Sequence, residues 1–182
     1  MNKTIKTSIT LLLALTLTQS AALAADAKGI KTITTQDKGE KYTFEKTNTV
    51  IQVAPHSEVK IDFNSSPESI ELVSGMARAR VQKLAQGAKS DAPKFILKTK
   101  SATMGVRGTD FLGVVTPVLG EAEIIVFEGN VDFASTSDVK DVKHVPAGHW
   151  GGIGGRFGAK THDLIALPKA ALDYFDNASK IQ

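Results

Sequence analysis

The stretch Met104-Gly105-Val106-Arg107-Gly108-Thr109-Asp110-Phe111 sets the tightest limit on what this chain can become. Alternating segments lead into it from Phe95 to Thr103 and out of it from Phe111 to Val115. Glycine takes φ > 0 without steric cost, so Gly105 and Gly108 are natural places for extended chain to turn sharply. Arg107, between them, brings five donors in a rigid fork and no acceptor. Pointed inward at a corner, that fork can hold backbone carbonyls or a carboxylate. Asp110, and Glu128 beside Gly129, are the acids best placed to meet it. The expectation is an internal clamp made by Arg107, Gly108, Thr109, Asp110 and Glu128, favoured over a ligand site because turn glycines flank it.

Around this stretch the dominant period is two, the signature of half-buried strands. Val59, Ile61 and Phe63 alternate with Glu58, Lys60 and Asp62; Ala77, Ala79 and Val81 alternate with Met76, Arg78, Arg80 and Gln82. Strands are expected at Ile30 to Thr34, Val50 to Val53, Glu58 to Phe63 and Val139 to Val145. Two hairpins are expected, one turning at Ser74-Gly75 and one at Glu128-Gly129. Their lead strands look alike: Ile70-Glu71-Leu72-Val73-Ser74-Gly75 aligns with Ile124-Ile125-Val126-Phe127-Glu128-Gly129. Two copies suggest a winding β architecture without establishing a repeat. His149 to Gly158 is too rich in glycine to read as a strand. Leu167-Pro168 opens a helix, with Leu167, Ala171, Tyr174, Phe175 and Ala178 as the stripe that docks on the β body. The fold class expected is therefore all-β, a compact wound sheet (a short β-solenoid or sandwich-like), with a C-terminal α-helix.

The N-terminus reads differently. Lys3 and Lys6, an apolar run from Ile9 to Leu17 and the small-x-small site Ala22-Leu23-Ala24 make a secretory signal peptide, residues 1–24. The run is too short and too rich in threonine to span a membrane. The domain plan is then residues 25–166 for the β domain and 167–182 for the helix, in an exported chain, periplasmic or secreted. The chain's 22 basic residues fall to 20 once the two signal lysines go, against 19 acidic ones. A balance that even makes nucleic acid a poor partner. With no cysteine the exported fold must stand without disulfides.

Chemistry is thinly signposted. None of His56, His144, His149 and His162 falls in a metal-binding or nucleophile-activating pattern, and Gly-x-Ser-x-Gly is absent. Gly148 to Gly158 lacks the lysine and the strand–loop–helix setting of a phosphate loop. No enzyme, cofactor or metal is expected. Arg78, Arg80, Lys94, Lys98 and Lys100 point outward from two strands adjacent in sequence order. If those strands pair, the five form one cationic strip for an anionic glycan; a solvated face that protects a sheet edge is the plainer alternative.

Three pieces of the chain resemble the FecR-type periplasmic domain. They are Ala54-Pro55-His56-Ser57-Glu58-Val59 with Leu72-Val73-Ser74-Gly75; Thr99-Lys100-Ser101-Ala102 running into Gly105-Val106-Arg107-Gly108-Thr109-Asp110-Phe111; and Val126-Phe127-Glu128-Gly129-Asn130-Val131 with Pro146-Ala147-Gly148. The resemblance implies short wound strands outside the cytoplasm of a Gram-negative cell. In the namesake proteins the domain senses a signal and passes it through a transmembrane helix to a sigma-factor regulator. Here a cleavable signal stands in place of a membrane helix, so what carries over is an exported binding or sensing module for an envelope protein or glycan. The alternative is a structural part of a surface or matrix assembly.

Overall fold

A computed structural model describes residues 29–83, 92–154 and 160–180. The expected signal peptide lies outside them, as does most of the Gly154 to Gly158 run. The described chain is a single curled sheet closed by one helix, so the all-β expectation holds. Its first four strands are β1 (Ile30–Thr34), β2 (Glu40–Phe44), β3 (Thr49–Val53) and β4 (Glu58–Asp62). Then come β5 (Glu68–Arg80), β6 (Phe95–Lys98), β7 (Ala102–Val106), β8 (Asp110–Thr116) and β9 (Glu121–Glu128). The last are β10 (Asn130–Ser135), β11 (Val142–Pro146), β12 (His149–Ile153) and β13 (Ile165–Ala166), before helix α1 (Lys169–Ala178). Strand β12 forms where glycine content argues against one, because Gly151 and Gly152 lie in register with Ile124 and Glu123 of β9.

The sheet folds over on itself. One half runs β11-β10-β7-β6-β5-β4-β1 and the other β2-β3-β5-β8-β9-β12-β13. Strand β5 belongs to both: Glu68–Ser74 pairs with β6 and β4, and Gly75–Arg80 pairs with β3 and β8. The bend falls at Gly75, φ +81°, where a Cβ would lie 2.3 Å from the Ser57 Oγ. The expected Ser74-Gly75 hairpin is thus a bend within one strand. The Glu128-Gly129 hairpin is also corrected. Strand β9 pairs with β8 and β12, and β10 with β7 and β11. Gly129, φ +83°, carries the chain from one half to the other. Both glycine-ended segments are corners of the winding. Their likeness is structural: a positive-φ glycine carries the same local signal at a bend as at a chain reversal.

Between the halves lies the core. Alternation sends Ile51, Ala77, Ala79, Phe111, Ile124 and Val126 inward from one side, and Ile61, Leu72, Leu97, Met104 and Phe133 from the other, all at 1% exposure or less. Leu112 and Ile125 are also fully buried, yet stand outside this cluster. They face one another across β8 and β9 on the outer surface, in register with Arg78 of β5. Helix α1, which packs on β9, covers that surface. The half-buried helix positions are Leu167, Ala171, Leu172, Phe175 and Asp176, with Ser179 buried. Tyr174, at 69% exposure, and Ala178 face away. The docked stripe is therefore rotated from the expected one, because a polar contact at Asp176 and Ser179 sets the helix's roll.

Candidate functional site

Among the described residues the buried guanidinium belongs to Arg78. Its neighbours Ala77 and Ala79 point into the core, so period two forces Arg78 to the outer face, where α1 lands on it. Its side chain keeps only 4% of its surface exposed. Nε and Nη2 donate to Asp110 Oδ1 and Oδ2 at 2.8 and 3.0 Å. Nη1 donates to Asp176 Oδ1 at 2.8 Å and to Ser179 Oγ at 3.0 Å. The Phe127 ring lies 4.3 Å from the guanidinium carbon, a stacking contact that a planar cation suits. Burial alone would push the Arg78 pKa down, but the hydrogen bonds it donates to Asp110 and Asp176 hold it above its ordinary value. Arg80 shares Asp110, donating from Nε at 3.0 Å, and is itself mostly exposed.

Arg107 does not hold the interior position expected of it. In β7, Met104 and Val106 are buried, so the same alternation turns Arg107 outward. Its side chain is about half exposed, 49%, with the Asp132 carboxylate 3.9 Å from Nη2. Asp132 also meets His144 Nδ1 at 2.6 Å. Glu128 sits at the rim, accepting from Lys83 Nζ at 2.5 Å. The clamp residues that close the corner are Gly108 and Thr109. Thr109 exchanges backbone hydrogen bonds with Val81 at 2.8 and 3.1 Å, and its Oγ1 donates to the Asn130 carbonyl at 3.1 Å. A Cβ on Gly108 would lie 2.7 Å from Lys83 Cα, and one on Gly129 would lie 2.7 Å from the Gly108 carbonyl oxygen. Glycine is required here for three stretches of backbone to touch.

That corner frames an open cleft of about 410 Å³, with Gly105, Gly108 and Gly129 as its backbone walls and Lys83, Arg107 and Asp132 as its charged lining. Lys83 is paired with Glu128 and Arg107 with Asp132, so charges of both signs stand at the cleft. Such a surface can hydrogen-bond a segment of either charge.

The five basic residues do not make one strip. Arg78 and Arg80 lie beyond the Gly75 bend, paired with β3 and β8, whereas Lys98 of β6 is in register with Glu71, before the bend. Arg78 is buried, and Lys94 donates to the Gln82 carbonyl at 3.0 Å. Lys98 and Lys100 remain exposed. The sequence signal for the Arg78 site was available: an arginine and an aspartate, each beside small or apolar partners on strands that pair. What hid it was the helix, whose roll cannot be read from a stripe of apolar residues alone. Among the described residues no cluster of three His, Asp or Glu side chains is arranged to hold a metal ion.

A curled, two-half β domain with a helix pinned to its outer face defines the class. The family described as FecR protein matches residues 31–132, more than half of the chain, and the chain belongs to that family. Two crystal structures of a candidate anti-sigma factor from Parabacteroides distasonis ATCC 8503 share the fold, with TM-scores of 0.62 and 0.61 at 15% identity. Each alignment covers 80% of this chain and 64% of that one, so this chain spans under two thirds of those relatives. No curated protein sequence matches.

Proposed function

We propose that this chain is a non-catalytic binding or sensing module of the FecR family, exported by the signal segment at residues 1–24, and that it receives an envelope protein at the cleft beside Arg107. The observation that carries the reading is the position of that cleft. The residues most typical of the family resemblance, Gly105 to Thr109, form one wall, and the rest of the motif is spent on holding that wall rigid. The presence of both acids and bases at the cleft favours a protein segment over a uniformly anionic glycan. Family members and the fold relatives point to regulation through protein contacts rather than to chemistry. Among the described residues no helix is long and apolar enough to cross a membrane.

The test pairs Lys83→Glu with Arg107→Glu in the full chain. Envelope proteins retained by the wild type are expected to be lost by the double variant, while its thermal unfolding stays close to wild type. Equal retention by both proteins would remove the cleft from consideration. Retention on a glycan array, abolished by the same variant, would replace the protein partner by a glycan. Export is tested separately, by fractionating cells that express the full chain and sizing the mature product.

A further inference from the structure

Helix α1 is held to the sheet in an unusual way for a terminal helix. It is ten residues long, has no side-chain cap at its Pro168 N-terminus and carries no acidic residue in its first turn. A helix that short is marginal in water by itself, so docking supplies its stability. Yet no residue within its span is fully buried. The face beneath is the reverse: Leu112 and Ile125 are completely covered, and Arg78 nearly so. Leaving α1 out, that face holds two guanidinium groups, Arg78 and Arg80, against the single carboxylate of Asp110, beside an apolar floor of Leu112, Ile125 and Phe127. It is a cationic socket in an apolar patch, complete only when a second carboxylate arrives on a helix. Asp176 is that carboxylate, with Ser179 one turn later.

We infer that the outer face around Arg78 is a helix-receiving site which α1 occupies in cis, and that it takes in exchange an amphipathic helix from a partner protein bearing an aromatic–acid–x–x–hydroxyl pattern like Phe175-Asp176-x-x-Ser179. The groups that face the exchange are Arg78, Arg80 and Asp110 on the sheet and Asp176 and Lys180 on the helix side. Strand β13 pairs with β12 and the Leu167 N–H donates to the Gly148 carbonyl at 2.8 Å, so release begins at Pro168 and leaves the sheet intact. Once α1 has lifted away, the partner helix meets a site already built by the sheet, with Arg78, Leu112 and Ile125 in place.

Two measurements on the full chain test this. Hydrogen exchange of the wild type is expected to show α1 amides exchanging on the order of 100-fold faster than those of β8 and β9, as local opening requires. The second uses a labelled peptide spanning residues 167–180. It is expected to bind the Asp176→Lys variant, whose own helix is repelled by Arg78, at least about tenfold more tightly than wild type, where the tethered helix competes. The same peptide made with lysine in place of Asp176 is expected not to bind. Exchange of α1 only as slowly as β8 and β9, or no peptide binding to a folded Asp176→Lys chain, overturns the proposal. Should that variant lose its sheet signal in circular dichroism, the wild-type exchange rates decide alone. A wild-type dimer in light scattering with α1 exchanged between copies would replace the outside partner by a second copy, and also overturn it.

Discussion

Arg78 and Asp110 meet through two parallel hydrogen bonds, Nε to Oδ1 and Nη2 to Oδ2 at 2.8 and 3.0 Å, with side-chain exposures of 4% and 10%. A bidentate pair this dry is worth little net compared with an apolar pair, but breaking it leaves one buried charge uncompensated. Arg78→Ala strands Asp110 with Arg80 alone and removes the link to α1. Its expected cost is on the order of 3–5 kcal/mol. Arg107→Ala, at a half-exposed site, is expected to cost less than about 1 kcal/mol. Urea unfolding of the two variants side by side checks the pair. A larger loss for Arg107→Ala would put the clamp back at the glycine corner.

The glycines divide by what surrounds them. Gly129 and Gly148 have nearly the same φ, +83° and +78°. A Cβ at Gly129 meets the Gly108 carbonyl oxygen at 2.7 Å, whereas nothing lies within 4 Å of one at Gly148. Gly129→Ala is expected to cost at least about 2–3 kcal/mol, from backbone strain plus displacement of the neighbouring corner. Gly148→Asn keeps a residue that tolerates the left-handed region and is expected to cost at most about 1 kcal/mol. Thermal unfolding separates them, and equal losses would mean that φ alone sets the requirement.

Leu112 offers an independent reading of α1. On a solvated outer face its truncation would be nearly neutral. Covered by the helix at 0% exposure, Leu112→Ala is expected to destabilise by about 2–4 kcal/mol. A loss below about 1 kcal/mol would mean that the helix spends little time docked.

Much of this fold could be read from alternation. Ala77 and Ala79 inward and Arg78 and Arg80 outward follow from period two and appear as such, and the expected strand at Ile30–Thr34 is present. What period two cannot supply is the path of the chain after a positive-φ glycine. Gly75 and Gly129 carry the same local signal as a hairpin turn, and only the pairing of β5 with β8, or of β10 with β7, distinguishes a bend from a reversal. The arginine of the clamp is beyond local pattern for a related reason. Asp110 was legible as the acid, but its partner comes from a strand more than thirty positions earlier, brought alongside by register. Val106 also gave a local warning against an inward Arg107, since adjacent strand residues face opposite ways.

Acid tests the latch from the other side. Hydrogen bonds from Lys180 and then Arg78 hold the Asp176 carboxyl below its ordinary value in the folded chain. The unfolded chain therefore binds the proton first as pH falls. Stability from this group is complete well above the ordinary carboxylate pKa of about 4, declines as pH drops through that value, and is gone below the folded-state pKa. Asp176→Asn removes the titration while keeping the size of the side chain. Its destabilisation relative to wild type is expected to be full at pH 7 and to shrink as pH falls from about 5 towards 2. Because Lys180 and Arg78 both act on the charged form, added salt at pH 7 is expected to narrow the same difference, the exposed Lys180 arm being screened more than the buried Arg78 one. Chemical denaturation of both proteins across that pH range measures it directly. A wild-type advantage that stays constant down to pH 2 would mean that the carboxylate's charge takes no part in holding the helix.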